Sequence, residues 1–225
     1  MRMPTVLIGL VGLSLFACAH EQDHKMPTNL PTQPGQPTGR TEKLYVAAGC
    51  FWCIEGQMEM LKGVSEVVSG YAGGKTTNPT YEQVSSGTTG HAEVVEVTFD
   101  PGVIQKADLI RIFFVSHDPT QLNRQGPDVG TQYRSAIFYR SDEEKKLAQR
   151  IKDEIISEKL FPGKVVTTIE PLGPFTRAEE YHQNYYAKFE KATEAERAKM
   201  NAGYCSYVVS PKIAKFRERF AKLLK

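Results

Sequence analysis

What the chain lacks narrows the field first. No apolar stretch of roughly 18 residues runs unbroken, so a conventional membrane-spanning helix is excluded. No dense basic stripe is present, and the formal net charge is only +2, which leaves no electrostatic case for nucleic-acid binding. There are four cysteines but no second C-x-x-C and no close His pair within the expected folded domain, so a zinc site there has too few ligands at suitable spacing. A Gly-rich nucleotide signature is missing, as is any internal repeat. Strands and helices do not alternate in a strict β-α-β rhythm, which argues against a doubly wound parallel sheet. Tryptophan is almost absent: the single one, Trp52, lies between Cys50 and Cys53.

What is there is an ordinary globular composition, 40% hydrophobic and 24% charged over 225 residues. That length suits one domain with appendages. The first appendage is residues 1–17, where Arg2 precedes a short apolar run, Val6 to Ala17, in the manner of an export signal. Leu15-Phe16-Ala17-Cys18 looks like a bacterial lipobox, which would make Cys18 the lipid-bearing first residue of the mature chain. The second appendage, 18–41, places Pro27, Pro31, Pro34 and Pro37 among Gln, Thr and Gly, a composition expected to form an extended tether. The expected location is therefore exported, periplasmic or cell-envelope, with the membrane reached only through an N-terminal lipid.

The folded domain is expected over 42–225. Lys43 to Ala48 reads as a buried strand, followed by a helix from about Ile54 to Leu61. Val64 to Tyr71 reads as a strand, and His91 to Phe99 alternates apolar and polar residues as a clearer one. Helix periodicity runs from Ala107 to Ser116; residues 117–133 read as loop, and Ser135 to Tyr139 as a short strand. Ser141 with Glu144 forms a capping-box pattern that opens a helix with Leu147, Ile151, Ile155 and Ile156 on its apolar face. Val165 to Ile169 reads as a strand and Ala178 to Ala192 as one helix carrying Tyr181, Tyr185, Tyr186 and Phe189. An amphipathic tail, Ile213 to Leu224, follows Pro211. The mixture predicts an α+β fold with helices packed on a mixed or antiparallel sheet.

Chemistry concentrates at Gly49-Cys50-Phe51-Trp52-Cys53-Ile54-Glu55. A thiol where a strand turns into a helix meets the positive end of the helix dipole, a setting that favours a thiolate. Taken alone, the stretch admits a thioredoxin-like dithiol, a Cys–His hydrolase using His91, His117 or His182, a thiol reductase of oxidised sulfur, or an inert buried pair.

The wider pattern is more specific. Gly49-Cys50-Phe51-Trp52 with Glu55 resembles the signature of the A-type peptide methionine sulfoxide reductases. Gly70-Tyr71-Ala72-Gly73-Gly74, Asn78-Pro79-Thr80-Tyr81, Gly90-His91-Ala92-Glu93, His117-Asp118-Pro119, the run from Leu122 through Gly126-Pro127-Asp128 to Tyr133-Arg134-Ser135, Ala178-Glu179-Glu180-Tyr181-His182-Gln183 and Tyr204-Cys205 are similar to that family's blocks, in order, over about 43–220.

The resemblance implies a two-layer α+β sandwich related to the ferredoxin-like fold, with a central mixed sheet and long loops around the site. It implies Cys50 as nucleophile on a sulfoxide sulfur and Glu93 as the acid that protonates the oxygen. It further implies that Tyr81 and Tyr133 hold that oxygen, Asp128 orients substrate or water, and Phe51 and Trp52 wall the pocket for the substrate's methyl group. Cys205 resembles the resolving thiol, with Cys53 as the alternative. No resident cofactor is implied; a thioredoxin-like dithiol would supply electrons to a monomeric enzyme acting on methionine-S-sulfoxide, free or in proteins and peptides.

Overall fold

A computed structural model describes residues 25–225; the expected signal segment and Cys18 lie outside the described residues. In chain order come β1 (Glu42–Ala48), α1 (Phe51–Met58), β2 (Val64–Ala72), α2 (Tyr81–Ser85), β3 (Ala92–Phe99) and α3 (Lys106–Val115). A small ribbon follows, β4 (Arg124–Gln125) with β5 (Asp128–Val129), then β6 (Ser135–Tyr139), α4 (Asp142–Ser157), β7 (Thr168–Pro171) and β8 (Thr176–Arg177). The chain ends in α5 (Tyr185–Lys191), α6 (Glu194–Arg197), α7 (Ala202–Tyr204) and α8 (Ser210–Phe220).

Six strands form one sheet in the order β7-β6-β1-β3-β2-β8. Every neighbouring pair is antiparallel except β6 and β7, which run parallel. The sheet is therefore mixed, and the fold is α+β. Strand alternation sorts side chains to two faces. Leu44, Val46 and Ala48 of β1 and Val95, Val97 and Phe99 of β3 join the main core, which the helices complete with Ile54, Met58, Leu109, Phe113, Ile151 and Ile213. Tyr45, Ala47, Ala92, Val94 and Phe138 form a smaller cluster on the opposite face, with Leu172 and Phe175 packed against it. Glu93 has the same parity as Val95 and Val97, so β3 turns it toward the helix side. No helix of the described residues is long and apolar enough to cross a membrane.

Several elements depart from the sequence reading for identifiable reasons. Val165 to Ile169 is not the strand: Val166 N–H goes to Pro119 O, and pairing with β6 begins only at Thr168. The helix expected over Ala178 to Ala192 is broken at Asn184, which is left-handed at φ 52°. There the buried Glu55 carboxylate accepts the N–H groups of Asn184 and Tyr185, and Gln183 spends its amide on Ser69 of β2. In α4, Ser141 accepts from Glu144 N–H, but the Glu144 carboxylate turns to Arg140 and Lys106, so the reciprocal half of the box does not form. Ile151 and Ile155 are buried while Ile156, one position round the helix, is exposed.

Pro-bearing residues 27–39 lie against the domain. Thr28 donates from its N–H and hydroxyl to Glu158, Gly35 N–H donates to Val103 O, and Thr38 donates to Asp100. Leu30 packs on the main core.

Candidate active site

Cys50 sits at the end of β1, where a sharp turn feeds α1. Gly49 makes the turn with φ 86°, and a Cβ there would stand 2.5 Å from the Gln125 Cβ. Glycine is therefore required twice over, for its backbone angle and for the close approach of the β4 loop. Cys50 becomes the N-cap of α1, with Phe51 and Trp52 in the first turn.

The β1–β3 register brings Glu93 to this turn. Val46 pairs with Val95, so continuing by two residues sets Ala48 opposite Glu93. The Glu93 carboxylate accepts the Phe51 N–H at 2.9 Å, and only 2% of the residue is exposed. Burial pushes its pKa well above the ordinary carboxylate range; the Cys50 sulfur pushes it further, against the opposing Phe51 N–H.

Cys50 departs from the expected thiolate. Burial raises its pKa well above the ordinary thiol value, the Cys53 thiol adds to the rise, and a hydrogen bond with Tyr204 opposes it. Desolvation at this buried helix start outweighs the dipole, so the resting sulfur keeps its proton.

Two tyrosines complete the surroundings. Tyr81 opens α2 behind a Thr80–Gln83 capping box, and its N–H is held by Glu179 at 2.8 Å. Tyr133 ends a 3₁₀ turn, Thr131–Tyr133. Burial raises both phenols, and both lie within electrostatic reach of Glu93, Cys50 and Asp128, so they remain neutral donors around the same spot. Asp128, on β5, accepts the Tyr204 hydroxyl at 2.7 Å. Cys50, Glu93, Tyr81, Tyr133 and Asp128, scattered over more than eighty positions of sequence, thus meet in one partly buried site.

The aromatic pair divides its work. Phe51 is 1% exposed and lies 6.0 Å from the Tyr71 ring, while Trp52 stacks on Tyr185 at 3.7 Å and 5°. All three described cysteines, Cys50, Cys53 and Cys205, are buried, and none is in a disulfide. Cys53 is in hydrogen-bond contact with Cys50. Burial lifts the pKa of Cys205, at the head of a π-helical turn (Cys205–Val209), to about 11, and the nearby Cys50 sulfur adds to the rise. None of the three histidines weighed as a hydrolase partner bonds to the Cys50 thiol: His91 lies against Gly74 and Thr76, His117 against Phe113 and Ser135, and His182 against Trp52.

Residues 42–224 match the family described as peptide methionine sulfoxide reductase. The chain belongs to this family. It is 49% identical over 183 residues to the peptide methionine sulfoxide reductase MsrA of Chromobacterium violaceum, covering 81% of this chain and 98% of that one. The Deinococcus radiodurans MsrA is 45% identical over 218 residues, with 97% and 100% covered. Among solved structures, the reduced form of Saccharomyces cerevisiae Mxr1 superposes with a TM-score of 0.64 at 37% identity, covering 69% of this chain and 90% of that one. Methionine sulfoxide reductase A of Corynebacterium diphtheriae gives 0.61 at 34% identity, covering 77% and 91%. The protein is therefore an oxidoreductase of the A-type methionine sulfoxide reductase family.

Three neighbours of the site in this reductase carry little signal of their own in the sequence. Tyr204 was visible only as the residue before Cys205, yet its hydroxyl reaches Asp128 and Cys50. Tyr185 read as core, and it is the stacking partner of Trp52. Glu179 gave no signal beyond its place in the Ala178–Gln183 block; it holds both Tyr81 N–H and the Tyr71 hydroxyl.

Proposed function

We propose that this reductase acts on the S epimer of methionine sulfoxide, free or within exported proteins, and returns it to methionine through a Cys50 sulfenic acid. The observation that carries the reading is the buried Glu93 carboxyl held beside the Cys50 turn by the Phe51 N–H. A sulfoxide oxygen departs only when protonated, and a carboxyl held neutral by its dry site can give that proton.

In the first step the Cys50 sulfur attacks the sulfoxide sulfur while Glu93 protonates the oxygen and Tyr81 and Tyr133 donate hydrogen bonds to it. The methyl group rests against the Phe51 and Trp52 rings, where aromatic faces attract sulfur by ~0.3–1.5 kcal/mol. The oxygen then passes to Cys50: its bond to the substrate sulfur and the new sulfur–sulfur bond break, a Cys50 sulfur–oxygen bond forms, methionine leaves reduced by two electrons, and Cys50 is left oxidised by two as a sulfenic acid. The Cys50 thiol proton restores Glu93. In the second step a thiol attacks Cys50, a disulfide forms and water leaves. An external dithiol then reduces that disulfide and is itself oxidised.

Cys205 is the proposed resolving thiol, since its π-helical segment adjoins the site through Tyr204. A second assignment, Cys53, is favoured by its hydrogen-bond contact with Cys50. A thioredoxin-like protein is the proposed reductant, because the disulfide formed on Cys50 needs an external dithiol to open it. The apolar start, Val6 to Ala17, and Cys18 support export to the cell envelope on a lipid anchor. We take the enzyme to be a monomer.

The test is single-turnover reduction of methionine-S-sulfoxide by wild type and Glu93→Gln. Loss of the first step with Cys50 still alkylatable supports the assignment; an unchanged rate removes Glu93 from the chemistry.

A further inference from the structure

Trp52 can serve as a pocket wall only if its indole is held at one angle. Its face is fixed by Tyr185, stacked at 3.7 Å, and its edge by the Nε1–H, which donates to His182 Nδ1 at 3.2 Å. An imidazole that accepts at Nδ1 must carry its proton on Nε2. The Nε2 atom is buried and has no hydrogen-bond partner. The nearest acidic oxygen is Glu179 Oε2, 3.9 Å away. That carboxylate already accepts the Tyr71 hydroxyl and the Tyr81 N–H, each at 2.8 Å.

We infer that His182 is a positioning residue for the methyl pocket: as a neutral Nε2–H imidazole, its tautomer set by Glu179, it holds the Trp52 indole against the site. The inference rests on the proposed role of Trp52 as a pocket wall.

Geometry supports the assignment from each side of the ring. The imidazole, 1% exposed, is enclosed by Phe51 at 4.9 Å, Trp52 at 5.6 Å, Tyr81 at 4.5 Å and Tyr181 at 4.1 Å. Both proposed methyl-wall aromatics and one proposed oxygen-side tyrosine therefore lean on one histidine. A negative charge beside Nε2 favours the tautomer with its proton there, leaving the Nδ1 lone pair for the indole. Burial keeps the ring uncharged across the working pH range, its pKa lying near 4. A protonated ring would place two donors face to face at Trp52. Through Glu179 the same carboxylate that holds Tyr81 by its backbone also sets the acceptor that holds Trp52. Methyl side and oxygen side are thus oriented from one point.

Trp52 is the chain's single tryptophan, so its emission reads this contact directly. We expect His182→Phe to shift that emission and to weaken apparent affinity for methionine-S-sulfoxide in single turnover ~5–10-fold, with the limiting rate changed much less, the size expected for one neutral hydrogen bond. His182→Gln keeps an acceptor and should stay within ~3-fold of wild type. In a Trp52→Phe background there is no indole N–H to hold, so adding His182→Phe should have little further effect. Additive losses, or equal losses in His182→Gln and His182→Phe, would overturn the inference. So would a folded His182→Phe with wild-type emission and affinity. Nitrogen NMR of the wild-type imidazole needs no variant: an unprotonated Nδ1 is expected, and a protonated Nδ1 contradicts the proposal. Trp52→Ala separates the two layers, because unaltered substrate affinity there would sink the methyl-pocket reading while the His182–Trp52 contact could still stand.

Discussion

The Glu93 carboxylate accepts a hydrogen bond of 2.9 Å from the N–H of Phe51, the residue next to Cys50. One bond thus joins the middle of the sheet to the first turn of α1 and fixes the proposed acid and the proposed nucleophile relative to each other. The same bond lowers the proton affinity of Glu93, while burial and the Cys50 sulfur raise it more.

Glu93→Gln keeps an acceptor for Phe51 and removes the acid. The first step should slow by ~10²–10⁴, the usual range for loss of a general acid. Wild type should show a bell-shaped pH profile in single turnover. Its rate rises as Cys50 ionises and falls as Glu93 gives up its proton, and the two apparent values belong to the pair. The variant should keep only the rising limb.

Cys50 is held up by Cys53 and drawn down by Tyr204. Alkylation of Cys50 followed by peptide mass therefore gives opposite shifts. Its pH profile should move to lower pH in Cys53→Ala and to higher pH in Tyr204→Phe. A shift in the same direction for both would contradict the arrangement.

Resolution is separable from reduction. Cys205→Ser should complete one rapid sulfoxide reduction and then recycle slowly with a thioredoxin-like donor. Undiminished recycling in that variant would assign the role to Cys53. Disulfide mapping of the oxidised wild type by mass spectrometry gives the pairing directly.

Glu55 provides a stability test away from the chemistry. Burial raises its pKa to about 7, partly offset by bonds from Asn184, Tyr185 and Ser69. An unfolded glutamate titrates near ~4.3. Between those values the folded chain holds the extra proton, so stability is highest at acid pH and falls as pH rises toward 7, by about 3 kcal/mol for this group between pH 5 and pH 8. Melting curves from pH 5 to pH 8 should show that loss, and Glu55→Gln should remove one proton's worth of the slope.

How far the sequence reached depended on the range of the interactions. Strands β1, β2, β3 and β6 and helices α3 and α4 declare themselves through local periodicity, and all are present near their expected bounds. Cys50 was legible because a strand-to-helix turn leaves a local pattern of Gly, Cys and aromatics. Glu93 taken alone is a strand carboxylate; only the resemblance gave it a role, and only the β1–β3 register brings it to Phe51. The break at Asn184 was not legible, because its cause is the Glu55 carboxylate 129 positions away. Nor was the rise of the Cys50 pKa, which comes from burial by distant elements rather than from its own turn. Pro and Gly between 27 and 39 suggest an extended tether, and the backbone and hydroxyl donors there find Glu158, Val103 and Asp100. Composition does not register such partners.

The most direct measurement is reduction of the separated S and R epimers of methionine sulfoxide, with dithiothreitol as reductant, by wild type and Cys50→Ser. Turnover of the S epimer by wild type alone is expected. Activity surviving in Cys50→Ser, or preference for the R epimer, would contradict it.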